Sequence, residues 1–242
     1  MRKAMLIGTA TAVVLLAGCG QSRAEDGGPM TGRSYQVGSF SQIEIAGPYQ
    51  VQVKTGSAPS VSAHGPQKVI DDLIVEVKGD KLSIHPKSDR NFHWFGSRDH
   101  GNVTIEVSAP ALRAASLAGS GDLKIDKVSG ADFDGSIGGS GDLAVDSIEV
   151  RKLSLAIGGS GRMTLRSGRV QQADYSVGGS GDIDAGGVQA QSADISIAGS
   201  GNISGNASGN ASISIMGSGD VNLSGGAKCD ISKMGSGDVN CS

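Results

Sequence analysis

Residues 115–146 read ASLAGSGDLKIDKVSGADFDGSIGGSGDLAVD, with Gly-Ser-Gly-Asp at 119 and again at 139. The motif returns as GSGR at 159, GSGD at 179, GSGN at 199, GSGD at 217 and GSGD at 235, spaced 20, 20, 20, 20, 18 and 18 residues apart. A fixed period of this size marks stacked repeats, each of which buries its apolar face only against its neighbours. Aligned on the first glycine, the fourth place after it holds Leu123, Leu143, Met163, Ile183, Ile203, Val221 and Val239. Two places before it stand Leu117, Ile137, Ile157, Val177, Ile197 and Ile215. These are inward columns. Polar residues alternate with them, so each repeat contains at least two short strands facing one core. Glycine supplies the positive φ of a sharp corner.

The fold class is therefore all-β: a single-stranded parallel β-helix of ~20-residue GSGD repeats over residues 111–242, with copies stacked ~4.8 Å apart and seven coils rising about 34 Å. A propeller blade needs ~40 residues, and leucine-rich repeats carry Leu and Asn columns that are absent here. Residues 34–110 form a preceding β region with period-two runs, including QIEIAG, YQVQVKTG and LIVEVKGDKLSIHPK. Gly79-Asp80 is a tight-turn signal between two such runs, and PQKVIDDL at 66–73 is the one helical turn.

The ends and the composition bound the setting. Residues 1–18 combine Arg2 and Lys3 with an apolar stretch, Met5 to Ala17, too short to span a bilayer, and so read as an export signal. Leu16-Ala17-Gly18-Cys19 resembles the lipobox of bacterial lipoproteins, which makes Cys19 the lipidated first residue of the mature chain. Gly20 in place of Asp favours the outer membrane, facing either the periplasm or the cell surface. Residues 19–33 are polar and aperiodic, a tether reaching about 20 Å. Among 242 residues the net charge is −3, with no basic run, so composition gives no basis for a nucleic-acid partner.

The stretches FSQIEIAGPYQVQV (40–53), DDLIVEVKGDKLSI (71–84) and VTIEVSAPALRAASLAGSGDL (103–123) resemble the head GIN domain family of auto-transporter adhesins, over nearly all of the chain from Phe40. The resemblance implies a bacterial envelope protein with a β-helical body. It brings no catalytic residues.

Three constellations could carry function. The column after GSG holds Asp122, Asp142, Arg162, Asp182, Asn202, Asp220 and Asp238. Its carboxylates either bind calcium or cap their corners, and capping is favoured because Arg162 and Asn202 interrupt the ladder. The segment RNFHWFGSRDH at 90–100 concentrates Phe92, His93, Trp94 and Phe95, either as a contact patch for a glycan, a partner or a membrane, or as an inward plug. His85, His93 and His100 lack any zinc-ligand spacing, and no metal or other cofactor is expected. Cys229 and Cys241 align with inward columns, Cys229 with Ala193 and Leu153, Cys241 with Leu165 and Val145. They are either a disulfide stapling the last coil or two thiols too far apart to bond. The charges Lys124, Asp126, Lys127, Arg151, Lys152, Arg166 and Arg169 vary from coil to coil and read as a solvated surface.

The expected function is non-catalytic: an envelope protein, lipid-anchored in the membrane, that presents an adhesion or scaffold surface to a glycan or an envelope protein. A carbohydrate-active enzyme on the same scaffold and a regulatory lipoprotein are the alternatives, since a β-helix alone does not choose among them.

Overall fold

The computed structural model describes residues 28–87 and 103–242. It is nearly all strand, wound as a parallel β-solenoid of about 6 turns. Seven GSG corners enclose six complete windings, one fewer than the coil count expected above, because the last corner is followed only by strand Val239–Cys241.

A turn such as Asp142–Gly159 is one bent strand in parallel register with the turns below and above it. Leu143 and Val145 point inward, then Ile148 and Val150, then Leu153, Leu155 and Ile157. The alternation therefore slips by one residue twice, after Val145 and after Val150. At the same places Asp146 and Arg151 drop out of the ladder. Each slip is a corner, so the turn has three faces, and the GSG segment closes the third corner.

Side-chain volume is complementary between neighbouring columns of the third face. Phe133 stands beside Gly135, two leucines follow at 153 and 155, and Ala173 then stands beside Tyr175. A Cβ on Gly135 would come within 2.8 Å of Leu155 Cδ2. All these positions are buried, and interiors this densely packed leave no room for two large residues at one level.

The step from 20 to 18 residues is taken on the second face. Asp184 pairs with Ser204 and Gln189 with Asn206, so Gly205 alone spans the stretch that Ala185 to Val188 occupy one turn below. One residue is regained before Ala193 pairs with Ala211.

Parallel stacking begins well before residue 111. Strand Gln42–Ala46 pairs with Lys81–Pro86 and Ala114–Gly119, and strand Gln50–Thr55 with Thr104–Ala109 and the first residues of Asp122–Gly139. Antiparallel strands then close this end: Met30–Tyr35 on Ser60–Pro66, Ser60–Pro66 on Thr104–Ala109, and Leu73–Lys78 on Lys81–Pro86. The last pair turns at Gly79, φ 64°, as the Gly-Asp signal indicates. A five-residue helix, Gln67–Asp71, seals the end with a fully buried Ile70. Met30 to Arg33 belong to the first of these strands, which corrects the end of the tether expected over residues 19–33.

Among the described residues, the opposite end has no such cover. Ile231 continues the inward column of Tyr175, Ile195 and Ile213, yet is 46% exposed, and Met216 and Met234 are exposed beside it. Lys233 takes the place of Ile215, and its Nζ donates to the Gly237 carbonyl oxygen at 2.6 Å.

Candidate functional site

From residue 139 onward both glycines of each GSG press on a carbonyl of the turn below, and the first carries a second constraint. The first holds a left-handed φ, 141° at Gly139 and 144° at Gly159, which a side chain would strain. The second lies under the turn below: a Cβ on Gly161 would sit 2.3 Å from the Gly141 carbonyl oxygen. Gly138, Gly158 and Gly178 are different. They face outward with ordinary φ, and a Cβ there would meet no atom within 3.8 Å. The corner explains the motif and leaves these three without a steric role.

From Arg162 to Asp238 the polar column after GSG joins successive turns. Asp182 Oδ1 accepts from the Asn202 backbone N–H at 3.2 Å and from Asn202 Nδ2 at 2.9 Å. Asn202 Oδ1 accepts from the Asp220 N–H at 3.2 Å, and Asp220 Oδ1 from the Asp238 N–H at 2.7 Å. Arg162 Nη2 lies 3.2 Å from Asp182 Oδ2. Burial pushes the Asp182 carboxyl up, but the hydrogen bonds from Asn202 and Arg162 outweigh it and hold the group below its ordinary 3.8. Arg162 and Asn202, read as interruptions of the column, are thus its bonding partners. Among the described residues, no group of three or more His, Cys, Asp or Glu converges as metal ligands would.

Other outward charges pair diagonally between turns. Lys124 Nζ and Arg166 Nε share Asp146 at 3.2 and 3.1 Å, and Lys152 lies 3.2 Å from Asp174. Asp126 Oδ1 accepts from the Thr55 N–H at 3.0 Å. Near the N-terminal end, Asp80 Oδ2 accepts from Ser41 Oγ at 2.6 Å and from Arg113 Nη2 at 2.9 Å, which lowers its carboxyl below the usual range, Ser41 first and Arg113 second. His85 Nε2 lies 3.6 Å from Glu76 Oε1.

Sequence reasoning missed a groove where the second and third faces meet. Its floor is the column Gly130, Val150, Val170 and Ala190. One wall is Glu149, Arg169 and Gln189, the other Arg151, Gln171 and Gln191. It holds about 440 Å³ and opens along the solenoid axis. Unlike Lys124, Lys152, Arg162 and Arg166, neither Arg151 nor Arg169 pairs with any described residue. The signal present in the sequence was the glutamine set 171, 172, 189 and 191, recurring at nearly the repeat period.

The structure brings Cys229 and Cys241 together at the open end, with Cα atoms 6.7 Å apart and sulfurs in bonding contact. They stand one above Ala211 and the other above Leu223, in the inward columns expected for them. Cys19, the 1–18 segment, Phe92, His93, Trp94, Phe95 and His100 lie outside the described residues.

A family model described as "Putative auto-transporter adhesin, head GIN domain" matches residues 39–227. Among solved structures, a protein from Bacteroides fragilis named a "putative adhesin" is similar at 23% identity and TM-score 0.78, over 87% of this chain and 96% of that one. A "putative lipid binding protein" from Parabacteroides distasonis shares 26% identity at TM-score 0.71, over 90% and 98%. A second P. distasonis protein, a "putative adhesin", shares 22% at TM-score 0.67, over 89% and 97%. No curated protein matches the chain.

Proposed function

This chain belongs to the head GIN domain family of auto-transporter adhesins, and from that premise we propose that it is a lipid-anchored protein of a bacterial envelope whose solenoid flank is a non-catalytic surface for adhesion or scaffolding. The anchor is Cys19, which closes the lipobox, Gly20 after it favours the outer membrane, and the short polar tether holds the body off the bilayer. No helix among the described residues is long and apolar enough to cross a membrane.

The observation that carries the reading is the flank itself. Outward columns keep their register from turn to turn, repeating each lateral position at ~4.8 Å steps. Asp146, Asp174 and Asp182 on it are held by cations or backbone N–H groups of adjacent turns. Hydrolysis or elimination on a sugar wants two carboxylates, or an acid and a base, converging on one bond. A charge-paired, regularly spaced face suits a surface that holds a polymer without cutting it.

The test fractionates cells expressing the full chain and incubates the purified protein with a glycan array and with the same glycans in a reducing-end assay. Wild type in the membrane pellet, Cys19→Ser in the soluble fraction, and binding without new reducing ends are the expected results. Cys19→Ser resisting a high-salt wash would remove the anchor from this reading, and turnover of any bound glycan would replace it with an enzyme.

A further inference from the structure

The groove between the second and third faces is built for a ligand of definite chemistry, and the geometry points to a linear, carboxylate-bearing polysaccharide of the uronate class lying along it. This rests on the adhesive reading above and names what the surface holds. Three features converge. The floor is narrow, being the backbone of the Gly130, Val150, Val170 and Ala190 column, whose aliphatic side chains are buried in the core. Gly130, at the lower end, has nothing within 4 Å of where a Cβ would stand, so the channel stays open there.

The walls supply the recognition. Arg151 and Arg169 stand on opposite walls in adjacent turns, unpaired with any described residue although most neighbouring cations are neutralised. A guanidinium fork matches a carboxylate bidentately. Gln171 and Gln191 stack above Arg151, and Gln189 above Arg169, so each wall repeats an amide or charged group at ~4.8 Å intervals. Each amide offers both donor and acceptor, as sugar hydroxyls require, and a pyranose advances along its chain by a length close to that interval.

Charge selects against other polymers. With Glu149 in the same channel, the groove carries two guanidinium groups against one carboxylate, short of the basic stripe along which a nucleic-acid backbone binds. A peptide that adds a strand needs a free sheet edge. Here Val150 is paired to Gly130 below and Val170 above, which leaves no edge.

The experiment uses the full chain purified in detergent, titrated calorimetrically with oligogalacturonate, oligomannuronate, their carboxyl-reduced counterparts, and a DNA oligonucleotide of matched charge. Binding of at least one uronate oligomer is expected, weakened about tenfold or more by Arg151→Gln, by Arg169→Gln and by reduction of the ligand carboxyls. Lys124→Gln, on the first face, should leave affinity unchanged. Equal binding of DNA, no binding of either uronate oligomer, or affinity indifferent to Arg151→Gln and Arg169→Gln would each overturn the assignment. In the last case glycan binding itself persists and the adhesive reading stands with a different site. Uronate binding that depends on both arginines but releases reducing ends would instead keep the groove and defeat the non-catalytic reading.

Discussion

A Cβ placed on Gly141 would stand 2.2 Å from the carbonyl oxygen of Gly121 one turn below, so the corner closes only because that position has no side chain. Gly138, three residues earlier on the outer surface, has no atom within 4 Å of its own virtual Cβ. Gly141→Ala is therefore expected to destabilise the fold by about 1–3 kcal/mol, as overpacking does. Gly138→Ala should be neutral or slightly stabilising, about 0.4–1 kcal/mol at most. Denaturant midpoints of the two variants check this, and equal losses would show that the corner is not the constraint.

Asp182 gives the solenoid a pH dependence. Its folded carboxyl titrates below 3.8, so the stability it contributes is complete well above that value and is lost as the pH falls through the lower folded value. Asp80, tied by Ser41 and Arg113, shifts the same way. Melting temperature should fall between pH 5 and pH 3, and the fall should be smaller in Asp182→Asn. An identical acid response in that variant would exclude the inter-turn ladder as its source.

Tyr175 fills the space beside Ala173 with its hydroxyl buried and without a hydrogen-bond partner among the described residues, and burial raises its ionisation well above the ordinary value. A buried hydroxyl without a partner is a desolvation cost of about 1–3 kcal/mol. Tyr175→Phe removes it at constant shape and should leave stability unchanged or increase it. Tyr175→Ala should cost about 3–5 kcal/mol by opening a cavity. A destabilised Tyr175→Phe would reveal a hydroxyl partner.

Cys229 and Cys241 are expected to be bonded in an oxidising setting, since their Cα separation of 6.7 Å lies within the range that disulfides span. The loop they close is 12 residues in sequence, so the bond would contribute about 2–3 kcal/mol where the last strands lack an upper neighbour. Intact mass after alkylation without reduction decides it: two added adducts on these thiols would exclude the bond.

How much of this was legible beforehand follows from what each signal depends on. Period, inward columns and glycine corners were readable because Leu123, Leu143 and Met163 must stack at fixed spacing to exclude water, and that constraint leaves the same mark in every repeat. The setting of Cys229 and Cys241 in inward columns followed from the same alignment. Whether those columns meet did not, because it depends on how the triangular cross-section narrows where Gly205 replaces four residues. The three-faced section came from slips after Val145 and Val150 that alternation alone does not distinguish from irregularity. Arg151, Arg169, Gln171 and Gln189 read as ordinary surface in the chain, since outward positions are free to vary. Only the tertiary structure, by placing Val150 and Val170 as a floor between them and by pairing the competing cations elsewhere, made them the walls of one groove.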